Sequence, residues 1–344
     1  MSVLFREKRL ILFIVTIFLS HVATVACEKQ DLRESVNEEE EQVLLPEEIV
    51  VFDSDTLKVL YYNKMEDWHN MQGGAIYKDK LVCIMATDEM LDEDCNGFIY
   101  DITTGKKISG LHFLSALGGK TYAKPHANQV SFGSHFYDEN SDFPLLYVSQ
   151  VNGGSTALWA ASERGVLVYN LERSVVDGVI TYNPVLVQAI VPDLTDIDLM
   201  KKIGKYTPNY IVDTDNNQMV VIGYPNESWY NLSGPQPIAI FSLPSFSRGK
   251  EIVLTSSEVV DSFFLPESEG IQQSFYKDGK LYVSGGFWAH GTIRIIDLAK
   301  RDVITKVELD QFTNKEPQFF GNWRNRFLYY EAGTEGQIYE FVFK

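Results

Sequence analysis

The chain has 344 residues, 47 of them Asp or Glu against 30 Lys or Arg, for a formal net charge of −17 at pH 7. So acidic a surface excludes the phosphate neutralisation that nucleic-acid binding requires and disfavours adhesion to anionic lipid. With 45% hydrophobic residues, the composition is that of a globular protein able to bury a core.

The first element is a leader. Arg6, Lys8 and Arg9 precede the apolar run Leu10 to Leu19 and the small-residue stretch Ala23-Thr24-Val25-Ala26, the layout of a secretory signal peptide over residues 1–26. The run is shorter than the about 20 apolar residues of a membrane span, and no later segment approaches that length. Cys27 follows directly, and Val25-Ala26-Cys27 resembles the end of a bacterial lipobox, whose thiol is lipidated after cleavage. Thr24 departs from that pattern, and an ordinary signal peptide cleaved near Ala26 is the alternative. Residues 27–47 carry the acidic block Glu38 to Glu41 and almost nothing apolar before Val43-Leu44-Leu45, which reads as a solvated tether. The expectation is an exported protein held to a bacterial membrane by its lipid alone, on the periplasmic or surface face of the outer membrane. Cys83 and Cys95 remain, as a disulfide across a hairpin or as two unpaired thiols in apolar surroundings.

From residue 48 onward the sequence repeats. Residues 73–84 (GGAIYKDKLVCI) and 272–283 (QQSFYKDGKLYV) share a strand, a Tyr-Lys-Asp turn and a second strand. Residues 128–149, 209–223 and 317–331 follow the same plan, giving five copies of one hairpin. A second pair of strands recurs in residues 97–108, 165–180, 237–254 and 291–309, with Asp, Ser, Gly and Lys at the reversals. The last unit stops after GQIYEFVFK (336–344), while EIVVFD (48–53) has no partner of its own, so the N-terminal strand is expected to complete the final unit. These units, with phrases such as YDITTGKK (100–107), resemble the propeller superfamily of YVTN-type and PQQ-type repeats. The resemblance implies an all-β fold, a β-propeller of five blades over residues 48–344, and names no activity. Irregular spacing leaves six blades as the alternative. Residues 193–206 (DLTDIDLMKKIGKY) have apolar residues at helical intervals and read as a short helix between blades.

In a propeller the loops leading into the innermost strands gather at one mouth of the channel, where function usually sits. Those positions hold His69 and Gln72, His126 and Asn128 with Gln129, Asn209, Gln272 and Gln273, and Glu316 with Gln318. Amides dominate, and an amide donates and accepts together, which suits a hydroxyl-rich or peptide ligand. Satisfying backbone groups at strand ends is the other use of such amides. Nearby loops carry Trp159, Trp229 and Trp288, which offer flat apolar faces if exposed or pack between blades if not. His69, His126 and His290 lack ligand spacing, so no metal is assigned. Glycoside hydrolysis needs two opposed carboxylates, and these positions supply Glu316 clearly, with Asp213 and Glu331 more distant. No catalytic residue and no cofactor is assigned. The leading expectation is a non-catalytic face that binds a glycan or a protein partner in the cell envelope. A carbohydrate-active enzyme and a structural assembly component are the alternatives.

Overall fold

Turn chemistry sets the repeating unit. Two-residue turns of type I′ require positive φ at both central positions, and the chain supplies it at Asp177-Gly178 (51° and 79°), Asp278-Gly279 (50° and 73°) and Arg324-Asn325 (47° and 64°). The computed structural model describes residues 50–53, 57–66, 71–85, 96–114, 116–122, 127–150, 164–204, 206–226, 231–286, 290–310, 312, 315–334 and 336–343.

Strands β1 (Val50–Asp53) and β2 (Leu57–Lys64) come first. The first blade is β3 (Met71–Tyr77), β4 (Lys80–Met85), β5 (Gly97–Asp101) and β6 (Lys107–Leu111). A small hairpin, β7 (Ala116–Leu117) with β8 (Lys120–Thr121), leads to the second blade, β9 (Val130–Phe136), β10 (Pro144–Ser149), β11 (Val166–Val176) and β12 (Val179–Pro192). Helix α1 (Ile197–Ile203) precedes the third blade, built from β13 (Tyr206–Asp213), β14 (Gln218–Tyr224) and β15 (Gln236–Ser242). Next come β16 (Lys250–Leu254) and β17 (Val259–Leu265). The fourth blade is β18 (Ile271–Lys277), β19 (Lys280–Gly285), β20 (Thr292–Asp297) and β21 (Asp302–Glu308). The fifth contains β22 (Pro317–Trp323), β23 (Arg326–Glu331) and β24 (Gln337–Phe343).

Five sheets of four or five strands result, and their first strands β3, β9, β13, β18 and β22 neighbour one another in a closed cycle. The protein is a five-bladed β-propeller. The core explains the closure, since both faces of each blade are covered and the middle strands read as unbroken apolar runs rather than alternating ones. On β4, Val82 and Ile84 join the cluster toward the second blade, while Leu81, Cys83 and Met85 join the one toward the fifth. Three further clusters fill the remaining interfaces. Truncating a wholly buried side chain such as Ile99 to Ala would cost about 2–5 kcal/mol.

Three sequence expectations need correction. The strand that completes the fifth blade is β2, in antiparallel register with β24 from Leu57↔Phe343 to Lys64↔Gln337. The VVFD segment pairs only with β2 and forms the outermost, fifth strand. Second, residues 237–254 do not supply both outer strands of the third blade. β16 crosses to the second blade and lies parallel to β12, and β17 returns to close the third blade against β15. Third, the two Tyr-Lys-Asp phrases are offset by one residue, because Tyr77 pairs with Lys80 but Lys277 pairs with Lys280. The first turn falls on Lys78-Asp79 and the second on Asp278-Gly279.

The short helix is where expected. Asp196 caps it, accepting from the backbone N–H of Asp198 at 3.1 Å and Leu199 at 3.0 Å, and its other oxygen accepts from Ser256 N at 2.7 Å. Leu199 and Ile203 bury into the cluster between the second and third blades.

Candidate functional site

The first strands begin at one mouth of the channel and end in hairpin turns at the other. At the loop side a bulge recurs. Met71 and Gly73 face Met85 and Ile84, leaving Gln72 outside the ladder, and Gln272 and Gln318 are left out in the same way on β18 and β22. A bulge frees its extra residue from strand pairing and re-aims it. Here each freed residue is an amide.

These amides form a chain across four blades. Gln72 Nε2 donates to Asn128 Oδ1 at 3.2 Å, and Asn128 Nδ2 donates to Gln272 Oε1 at 2.8 Å. Gln272 Nε2 donates in turn to the Glu316 carboxylate, and to Gly286 O at 3.4 Å. Burial pushes the Glu316 carboxyl above the usual carboxylate range, against the opposing pull of the Gln272 bond. Asn209 and Gln318 are buried too, and their carbonyl oxygens have no hydrogen-bond partner among the described residues.

One step further in, two glutamines cross the channel. Gln129 Nε2 donates to Ser274 O at 2.7 Å and its Oε1 accepts from Ser274 N at 2.8 Å, joining the second blade to the fourth. Gln273 Nε2 donates to Gly74 O and Val130 O, both at 3.1 Å, joining the fourth blade to the first and second. These pairs of blades are not adjacent, so the side chains close the channel at mid-height. The approach is tight enough to demand glycine at residue 73, where a β-carbon would stand 1.9 Å from Ala127 O.

Beyond this plug, on the turn side, lies a cavity of about 420 Å³. Gln273 forms part of its wall, with Phe132 and Phe275 along the sides and Asp215, Lys277 and Asp278 near the opening.

Of the residues expected at the loop mouth, the structure brings Gln72 and Asn128 into direct contact and buries Asn209, Gln273 and Gln318 along the channel. His69, His126, Trp159, Trp229 and Trp288 lie outside the described residues, as do Cys27 and Cys95. His290 is exposed, with Nδ1 3.4 Å from Asp310 Oδ2. Asp213 does not reach the loop mouth, because its oxygens accept from Asp215 N and Asn216 N in the turn at the other end. Glu331 sits beside the Tyr329 hydroxyl, which burial and that carboxylate both push up. Cys83 is a free, buried thiol, and burial raises its pKa. Among the described residues no cluster of three His, Cys, Asp or Glu side chains could hold a metal ion. The turn-side cavity is not among the sites expected from the sequence. Its sequence signal is the repeated Tyr-Lys-Asp phrase, which by itself marks a turn.

No protein-family model and no curated protein matches the sequence. Solved structures do show a likeness. A hydrazine synthase of Kuenenia stuttgartiensis is 13% identical at a TM-score of 0.38, over 79% of this chain and 67% of that one. A crystal structure described as a putative oxidoreductase (glucose dehydrogenase) of Thermus thermophilus is 9% identical at 0.43, over 83% and 100%. The PQQ-bound aldose sugar dehydrogenase of Streptomyces coelicolor is 10% identical at 0.42, over 84% and 98%. Similarity at this level carries no activity over to this chain.

Proposed function

We propose that the protein is a lipid-anchored component of the bacterial cell envelope whose propeller binds a glycan at the amide-ringed mouth. The observation that carries this reading is the chain from Gln72 through Asn128 and Gln272 to Glu316. Gln72 keeps its carbonyl oxygen and Asn128 its second N–H to offer a ligand dense in hydroxyl groups, while Gln272, its N–H groups spent on Glu316 and Gly286, holds the chain in place. The acidic tether and the Val-Ala-Cys leader support anchoring, with Cys27 as the lipidated residue and the membrane reached through that lipid alone.

Glycan arrays probed with the full-length protein test the binding. Gln72→Leu and Gln272→Leu should each weaken a specific glycan by about tenfold, the loss expected when one or two good hydrogen bonds go unmade. An array without specific binders refutes the reading. Cys27→Ser should release the protein from the membrane fraction, and retention there refutes the anchor.

A second reading, a carbohydrate-active enzyme, is favoured by one observation. The Glu316 carboxyl holds its proton more tightly than an exposed glutamate, as a general acid must. Turnover of any bound glycan that Glu316→Gln abolishes would move the assignment to that class.

A further inference from the structure

The turn-side cavity asks for different chemistry at its depth and at its rim. Its volume of about 420 Å³ falls within the roughly 300–1,000 Å³ of a small-molecule site. Below it Gln129 and Gln273 cross the channel with their N–H groups committed to backbone carbonyls of other blades. The wall above them is mainly hydrocarbon, with Ile76, Phe132, Val212 and Phe275 supplied by four different blades. Ile76, Phe132 and Phe275 are only half-buried, which leaves apolar surface for a ligand to cover. Ser131 is the polar residue on this stretch, and its hydroxyl already accepts from Gln129 Nε2 at 3.1 Å.

The rim carries a held cation. Lys277 Nζ donates to Asn325 Oδ1 at 2.7 Å and to Asn322 Oδ1 at 3.4 Å, and both asparagines line the cavity from the fifth blade. Asn322 is fixed in turn, its Nδ2 donating to Arg326 O at 3.1 Å. An ammonium has three N–H donors, so two neutral amides position it while leaving one donor and the whole charge for an anion. Acceptors complete the rim, with Asp215 on the turn of the third blade and Asp278 on that of the fourth. Charge of both signs therefore stands over a hydrocarbon-walled space.

We propose that this cavity binds a free α-amino acid with a large apolar side chain. The side chain lies along the hydrocarbon wall, the carboxylate accepts from Lys277, and the ammonium faces Asp215 and Asp278. A zwitterionic head answers both charges of the rim, whereas a simple acid or a simple amine answers one and is repelled by the other. The glutamine crossing separates this site from the amide mouth, so it stands or falls independently of glycan binding.

Isothermal titration of the full-length protein with L-phenylalanine tests the assignment, and saturable one-site binding is expected. Glycine has the same head without the side chain and should bind about a hundredfold more weakly, the worth of a buried phenyl group. Phenethylamine and 3-phenylpropionate each lack one charge and should bind about tenfold more weakly. Lys277→Met should cost L-phenylalanine about tenfold and leave phenethylamine, which has no carboxylate, unweakened. Asp215→Asn with Asp278→Asn should cost L-phenylalanine about threefold, because these carboxylates are exposed, and leave 3-phenylpropionate unweakened. The proposal is overturned by absence of saturable binding, by glycine or either analogue binding as tightly as L-phenylalanine, or by Lys277→Met weakening L-phenylalanine and phenethylamine equally or not at all.

Discussion

Arg294 is the sharpest point at which to test the account of how the loop mouth is held. Its side chain is 2% exposed, with Nε 3.3 Å from Glu269 Oε2 and Nη1 donating to Gln236 Oε1 at 2.9 Å. Burial pushes the guanidinium pKa down and Glu269 pulls it back. Glu269 also holds Lys306 at 2.6 Å and accepts from Thr292 Oγ1 at 3.2 Å, immediately before β18 delivers Gln272 and Gln273 to the channel. Glu269→Gln strands a buried cation, at a cost of about 3–5 kcal/mol. Arg294→Met removes the charge together with its need for a partner, and abandons only the Gln236 acceptor, at about 1–2 kcal/mol. The sign of the second substitution should therefore reverse. In the native background Arg294→Met destabilises, and on top of Glu269→Gln it should recover about 2 kcal/mol. Urea unfolding followed by tryptophan fluorescence and circular dichroism gives the four midpoints, with a constant slope as the check that only the native state has changed. Equal destabilisation by Arg294→Met in both backgrounds would refute the reasoning.

Three more outcomes follow from single side chains. Asp101 accepts from Lys80 Nζ at 2.5 Å, Thr103 Oγ1 at 2.6 Å and Thr104 N at 3.1 Å. Burial acts to raise its pKa, but these bonds outweigh it and the value falls to about 2. A folded-state pKa below the unfolded one stabilises above about pH 4 and loses that stabilisation as the pH falls toward 2. After screening by solvent, Asp101→Asn should cost about 1 kcal/mol at neutral pH and nothing at the acid end, read from acid-unfolding curves. The Glu251 carboxylate bonds Lys120 and Tyr122, and those bonds overcome the effect of burial and lower its pKa. Glu251→Gln should speed hydrogen exchange in residues 116–122 while leaving the blades unchanged, and wild type should do the same as the pH drops below the carboxylate range. Slow exchange in both cases would show that the hairpin does not depend on that carboxylate. Iodoacetamide should leave Cys83 unmodified in the folded protein and label it after denaturation, and mass spectrometry showing rapid native labelling would contradict its burial.

The five hairpins were legible because their turns require particular residues and their strands are rich in β-branched and aromatic side chains. Outer strands were harder to place. KEIVL in β16 reads as any amphipathic strand, and nothing local says that it joins β12 of another blade rather than its own sheet. The same holds for β2, whose partner β24 is almost the whole chain away. Pairing over such distances is decided by ring closure and the interfaces between blades, which no short window of sequence contains. The amides at the strand starts were visible as residue types, but their mutual bonding depends on the bulges that turn Gln72 and Gln272 out of register. The turn-side cavity was not legible because its lining, Gly74 and Gly321 included, is drawn from all five blades, which no short window of sequence brings together.

The two glutamines that cross the channel have a bearing on traffic. A solute that enters from the loop side meets Gln129 locked to the backbone of Ser274, and to pass it would have to break both of those hydrogen bonds at once. The ring is therefore not a conduit. The cavity on the turn side is emptied by the route through which it fills. An occupant of that cavity can neither displace a ligand at the loop mouth nor feed it, and titrations with two ligands should sum rather than compete.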